Sequence, residues 1–486
     1  MRSSSGSLVE RRRREDQSVE SFAYALALSR EALRRSTGVL VDAAVVTAVA
    51  PALAGQVPTI PDGRYRRAAA AMALYWHSLA GKGVHFIAWD EREAREALTQ
   101  FEPMCALLGC QAGLVAGAMA GVARRLAYNG MVTFGSCSEM ATDYLRDNLR
   151  DSPADVVQRG LCAAVLDDVN PGLVARALVN FAITAPRVGV RPEAGTLAAL
   201  FQRGVHYHID SKQHAIAFSK PAVARLRSAV GWRELPSLKA VSAAERVERF
   251  IAHREGIGSA DGRDALAEVS VQGYLGAYEH VTGFSPAGTS GQTVDRILWE
   301  ARGTRPELHE LAFERLIDGQ RATLYEYRAG VRDAADPLSF LHATVTAAVG
   351  AWMADGTEAL IAGMCQALAR YQTREEIYAR LGTGEPPAAL SDRAVLLIER
   401  AVDQREEEVG RSAMAAFLRK VLLTMIDTQA RDHIARIRFL QRQSNSLYGR
   451  APDRNEARDS DVAQLFLRSQ RAIQCEAIKY LLNARP

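Results

Sequence analysis

Patterned cysteine is absent from this 486-residue chain: Cys105, Cys110, Cys137, Cys162, Cys365 and Cys475 show no CxxC or Cys/His spacing. That argues against a disulfide framework or a structural zinc and fits a reducing compartment. Aromatic residues reach only 7% and form no basic, aromatic-studded stripe, so no nucleic-acid partner is expected. Neither charge sign dominates. The formal net charge is +4, the cations are overwhelmingly arginine, and that balance neither requires nor excludes an anionic partner. The opening MRSSSGSLVERRRRED has no apolar core behind it, so no signal peptide is expected. Long apolar runs are scarce too. Residues 103–123 carry no charge and repeat a GxxxG spacing at Gly113, Gly117 and Gly121. Two readings fit: a membrane helix, or a helix ending at Gly109 followed by a buried strand and a loop. The alanine and glycine that dominate the run drive insertion weakly, which favours the second.

What is present is an ordinary globular composition, 48% hydrophobic and 24% charged, long enough for about two to four domains. Residues 1–20 join a serine run to Arg11–Arg14 and read as a solvated basic tail, or as a contact for an anionic membrane surface. Between residues 22 and 186, the short apolar runs GVHFIA (83–88), MVTF (131–134) and CAAVL (162–166) alternate with helical stretches at 91–100 and 138–149. Such alternation predicts a parallel sheet covered on both faces. HYHIDSKQHAIAF (206–218) reads as a hairpin in a small inserted module. Beyond residue 306 the pattern is helical. Met414, Phe417, Leu418, Val421, Leu422, Met425 and Ile426, continued by Ile434, Ile437 and Leu440, mark the buried stripe of one long helix. Helices before Gly382 and after Asp459 are its expected neighbours, with GTGEPP (382–387) as punctuation.

Seven collinear segments resemble the SecA preprotein translocase motor family: GKGVHFIAWDE (81–91), RRLAYNGMVTFGSCSEMATDYLRDNL (124–149), VQRGLCAAVLDDVN (157–170), HYHIDSKQHAIAF (206–218), SVQGYLGAYEHVTGFSPAGTSG (270–291), IDGQRATLYEYR (317–328) and LLTMIDTQARDHIARIRFLQRQSNSLYGRAPD (422–453). The resemblance implies an α/β plus all-α fold. A degenerate RecA-like first lobe at 21–200, completed by about 268–292, carries a reduced preprotein-binding module at 201–267. A helical scaffold and wing region follows at 300–486.

The resemblance also locates the family's nucleotide site, and there the residues depart from the pattern. The glycine-rich TGEGKT loop, which cradles phosphates on backbone N–H groups, falls on Pro61-Asp62-Gly63-Arg64-Tyr65-Arg66-Arg67. Pro61 has no N–H, Asp62 adds repulsion, and no Ser or Thr follows to hold Mg²⁺. Arg64, Arg66 and Arg67 remain as candidate phosphate contacts around Gly63. Asp42-Ala43-Ala44 replaces the family's adenine-reading DVQ. Asp167 keeps the Walker B position, Asp168 replaces the water-activating glutamate one methylene too short, and Asn170 replaces the last acid. The family's second lobe, which supplies charge-stabilising arginines, has no room before residue 317.

No ATP or Mg²⁺ cofactor is therefore expected, and the resemblance taken with these departures implies a non-hydrolytic accessory factor in protein export. Its expected partners are a preprotein client and the Sec translocon or a full-length SecA motor, at a cytoplasmic location peripheral to the inner membrane. The rival is a translocase ATPase subunit that completes its nucleotide site with another chain. Other conspicuous residues have plainer readings. His206, His208 and His214 fit a partly exposed hairpin better than a metal site, and Ser136-Cys137-Ser138-Glu139 lacks a base for nucleophilic chemistry. Arg124, Arg125 and Arg146 fit salt-bridged helix faces, and Asp432-His433 a helix-surface contact.

Overall fold

The structure is a computed structural model that describes residues 19–169, 180–186, 192–210, 215–230, 237–257, 263–285, 291–297, 308–382, 386–449 and 454–484. The chain divides into two compact units, one of residues 1–183 and 268–322, the other of 184–267 and 323–486.

In the first unit, helices α1 (Val19–Thr37) and α2 (Ala43–Leu53) lead through β1 (Gln56–Val57) to α3 (Gly63–Ser78) and β2 (Gly83–Ala88). Next come α4 (Glu91–Leu108), β3 (Ala112–Val115), α5 (Gly121–Tyr128), β4 (Val132–Ser136), α6 (Cys137–Asn148), β5 (Leu161–Leu166) and β6 (Asn180–Pro186). After an excursion into the second unit, the chain returns through β9 (Arg263–Ser270), α10 (Val271–Gly276), β10 (His280–Gly283) and β11 (Gln292–Thr293). Five strands form a wholly parallel sheet in the order β10-β5-β2-β4-β3. Every residue of β2 is buried, which is why GVHFIA reads as a continuous apolar run rather than an alternation. Along α3, residues 68–78 are buried on all sides, matching the alanine-rich AAAAMALYW that lets the helix pack closely.

The uncharged run at 103–123 resolves into the end of α4, the sheet-edge strand β3 and the start of α5. No helix among the described residues is long and apolar enough to cross a membrane. The expected strand is there, but at the sheet edge it is only half-buried. Of the three repeated glycines, Gly113 has a packing reason: a Cβ there would strike the Ala127 backbone, with Ala127 Cα at 2.7 Å. Gly121 faces open space.

The second unit contains α7 (Pro192–Ala198), the antiparallel hairpin β7 (Tyr207–Asp210) and β8 (Ala215–Phe218), α8 (Lys220–Val230) and α9 (Leu238–Arg254). Helix α11 (Leu308–Asp333) then opens the helical region: α12 (Leu341–Ala354), α13 (Thr357–Ala367), α14 (Arg374–Leu381), α15 (Pro387–Val409), α16 (Arg411–Arg442), α17 (Ser444–Tyr448) and α18 (Arg454–Asn483). The long stripe lies on α16, where Met414, Leu418, Leu422, Ile426, Ile434, Ile437 and Leu440 are buried. Its main neighbour is α18, as the position after Asp459 predicts, and Arg328 of α11 forks onto Asp427 at 2.7 and 3.0 Å. The C-terminal end of α16 also holds the hairpin: Gln443 accepts from the Phe218 N–H at 3.0 Å and donates to Ile216 O at 2.6 Å, while Arg442 forks onto Glu248 of α9. These contacts place the 201–267 segment in one unit with the long helix. His433 corrects one expectation. It is buried rather than on the helix surface, its ring 5.3 Å from that of Phe466, whereas Asp432 does stay half-exposed beside Arg436.

Candidate functional site

In open parallel sheets, ligands sit beyond the carboxyl ends of the strands, where helices begin. The segment entering α3 reaches that edge by pairing with the continuation of β10: Ile60 donates to Ser285 O at 2.8 Å, and Ser285 to Pro58 O at 3.1 Å. Asp167 follows directly from β5 and is fixed by its N–H donating to Ile87 O at 3.1 Å. The start of α3 and the two aspartates are thereby brought to one edge from about a hundred residues apart.

At this helix start the chain supplies its own anion. Asp62 is the N-cap: its carboxylate accepts the Arg64 N–H at 2.8 Å and pairs with the Arg64 guanidinium at 3.1 Å. A helix N-terminus attracts an anion through unpaired N–H groups and its dipole, and here a side-chain carboxylate already answers that demand. Gly63 is the first helical residue and has no positive φ, so it forms no phosphate-cradling turn.

One turn further on, two arginines reach the acids. Arg66 Nη2 lies 3.3 Å from Asp168 Oδ2, and Arg67 Nη2 lies 3.3 Å from Asp167 Oδ2. Arg66 also donates to the carbonyls of Ile60 and Pro61 at 3.3 and 3.4 Å. Trp89 donates its indole N–H to Asp168 O at 3.2 Å. The Asp167 side chain is 8% exposed, and burial pushes its carboxyl above the ordinary range against the pull of Arg67. Two cations thus stand opposite two carboxylates. A phosphate at the start of α3 would meet the Asp62 carboxylate, and a divalent ion on Asp167 would have to share that carboxylate with Arg67. As they stand, these residues do not fit a magnesium–triphosphate group.

The structure therefore brings Gly63, Arg66, Arg67, Asp167 and Asp168 to one place. Arg64 points outward, 76% exposed and tied to Asp62, and Asn170 lies outside the described residues. Asp42 is an N-cap as well, accepting the Val45 N–H at 2.9 Å. Sequence reasoning missed Trp89, for which a lone tryptophan after a strand gives no signal. It also missed that the arginines answer the aspartates, although opposite charges at two motifs of one site were visible.

A second charged cluster lies in the same unit and is built differently. Arg124 donates to Asp143 and Glu139 at 2.7 Å each and to the carbonyls of Ala116, Gly117 and Met119. Tyr128 donates to Asp143 at 3.1 Å, and Asp147 accepts the N–H groups of Val157 and Gln158. Ser136, a candidate nucleophile by position, is the N-cap of α6, and Cys137 is buried behind it. His206 is buried and accepts the Gln202 N–H, His208 is exposed, and His214 lies outside the described residues. Among the described residues no group of three or more metal-ligating side chains occurs.

Comparison with known proteins agrees with this architecture. Residues 1–296 match the model of the SecA DEAD-like domain, and residues 301–485 match that of the SecA wing and scaffold domain. Protein translocase subunit SecA 2 of Mycolicibacterium vanbaalenii is 32% identical over 228 residues, 46% of this chain and 27% of its own. Protein translocase subunit SecA 1 of Mycobacterium tuberculosis is 30% identical over 180 residues, 36% of this chain and 19% of its own. Protein translocase subunit SecA of Rubrobacter xylanophilus is 29% identical over 210 residues, 43% and 23%. The matched stretch thus spans about a quarter or less of these curated relatives. With family models matching along nearly its whole length, the chain belongs to the SecA family.

Proposed function

We propose that this chain is a protein-translocation factor that does not hydrolyse ATP, acting on a preprotein together with the Sec translocon or a full-length SecA motor. The observation that carries this reading is the mutual neutralisation of Arg66 and Arg67 with Asp168 and Asp167, beside a helix start capped by Asp62. Phosphoryl transfer needs a positioned metal, free N–H donors and charge stabilisation from several directions at once. Here the metal-orienting acid faces an arginine and the phosphate seat holds a carboxylate. The junction supports the same reading: the DEAD-like match ends at residue 296 and the wing and scaffold match begins at 301, which leaves no length for a second lobe between them. We place the protein on the cytoplasmic side, peripheral to the inner membrane, with the basic residues at 11–14 available to anionic lipid.

The alternative is an ATPase subunit whose site is completed by another chain. One observation favours it: both arginine–aspartate contacts are single and 3.3 Å long, beyond the about 2.7–2.9 Å of tight charge-assisted bonds, so they are separable. The deciding experiment is a thermal melt of the full chain with ATP and Mg²⁺, alone and mixed with a full-length SecA motor. No shift in Tm and no phosphate release beyond the motor's own are expected. A saturable shift with added phosphate release would overturn the non-hydrolytic reading. A pulldown from cells that recovers neither translocase components nor exported proteins would overturn the role in translocation.

A further inference from the structure

The two edges of the parallel sheet are finished differently. Along β10 the edge is covered: Thr282 Oγ1 donates to Gln56 O at 3.3 Å, and just beyond the strand Ser285 pairs with the segment from Pro58 to Ile60. Along β3 it is open. Among the described residues this strand pairs with β4 alone, in regular register from Ala112 to Val115, with no bulge, proline or charge. A free strand edge is ordinarily blunted by one of those devices, because its unpaired N–H and C=O groups template another strand.

The surroundings of β3 are charge-free as well. No charged residue stands between Glu102 and Arg124. Neighbouring residues of a strand face opposite sides, and here each side meets a helix. Gly113 lies against Ala127 of α5, while Ala112 and Leu114 join the core that holds Phe101, Met104 and Leu108 of α4. Both helices also present apolar side chains outward. Leu107 on α4 is 36% exposed, and Val122 and Leu126, one turn apart on α5, are 71% and 69% exposed. The arginines of α5 are already engaged, Arg124 with Asp143 and Glu139 and Arg125 with Val156 O at 3.2 Å.

We infer that β3 is a dimerisation edge, pairing antiparallel with β3 of a second copy of this chain. The covered β10 edge selects that occupant: head-to-tail joining through this sheet has no second edge to use, so like must meet like. Pairing two antiparallel strands sets a two-fold axis perpendicular to the sheet. That axis brings α5 beside α5 and α4 beside α4. Val122 and Leu126 of one copy are then covered by the same side chains of the other. Like charges set opposite each other penalise such a self-contact, and this face carries none. A charged foreign strand would find no counter-charge here.

Light scattering over a concentration series of the full chain tests the pairing. The weight-average mass is expected to rise toward that of two chains. A mass that stays at one chain up to about 100 μM, where a pair with that Kd would have half its chains assembled, overturns the inference. Two double variants, Val122→Glu/Leu126→Glu and Val122→Lys/Leu126→Lys, should each stay monomeric and keep the wild-type Tm, since both sites are exposed. Mixed in equal parts, they should form a heterodimer. Self-association that the double variants leave unchanged overturns the assignment to this face, and a mixture that stays monomeric overturns the two-fold arrangement. A wild-type chain that stays monomeric and instead captures a labelled peptide of alternating threonine and valine overturns the choice of a second copy in favour of a foreign strand.

Discussion

Two charged clusters of the first unit hold similar groups in opposite ways. Arg124 is 4% exposed and donates to five acceptors, among them two carboxylates at 2.7 Å. Arg66 and Arg67 are more open, and each has one carboxylate contact at 3.3 Å. The first cluster ties α5, α6 and the loop after β3 into one piece, so its residues are read as architecture. The second joins the start of α3 to the end of β5 by balancing charge. The difference teaches that the first kind of cluster binds several elements into one piece, while the second kind joins two elements through single, longer contacts.

Breaking the first cluster should have the largest effect. Asp143→Ala removes one of the two carboxylates that hold a buried guanidinium and takes the acceptor from Tyr128, and a loss on the order of 3 kcal/mol is expected in urea unfolding of the full chain. A loss under about 1 kcal/mol would erase the contrast. Gly113→Ala, which forces a Cβ into the Ala127 backbone beneath the same cluster, should cost about 1–3 kcal/mol, whereas Gly121→Ala should stay within about 0.5 kcal/mol. Equal losses at both glycines would show that the repeat as a whole matters.

The smallest effect is expected at the second cluster, where Asp167→Asn should be neutral or stabilising by up to about 1 kcal/mol near pH 7. The sign follows from the raised Asp167 pKa. A carboxyl whose folded pKa lies above its unfolded value favours folding while protonated, and that contribution is lost as pH rises through the folded pKa. The gap between variant and wild type should therefore close as pH falls toward the ordinary aspartate range. A Tm series across pH that shows the variant less stable at pH 7 would mean the Arg67 pair holds the fold after all.

Much of the fold was legible because it is written locally. The strands at 83–88, 132–136 and 161–166 are short apolar runs between helical patterns, and the α16 stripe repeats at helical spacing over ten positions. The half-burial of β3 was not legible, because a run of alanine and glycine looks alike at a sheet centre and at its edge. His433 was misplaced for a related reason: a histidine beside an aspartate looks solvated until Phe466, on another helix, covers it. That the start of α3 and the end of β5 meet follows from the expected lobe and is seen in the structure. The pairing of the charges there was not legible, since Arg66 and Asp168 are 102 residues apart and only the sheet makes them neighbours.

Asp62 carries one more consequence. A carboxylate attached one residue before the helix it caps is present at that helix start at an effective concentration set by the chain and not by the solution. Cellular nucleotide rises and falls with metabolism, but a tethered group does not. The cap on α3 is therefore present whenever this part of the chain is folded, whatever anions surround it.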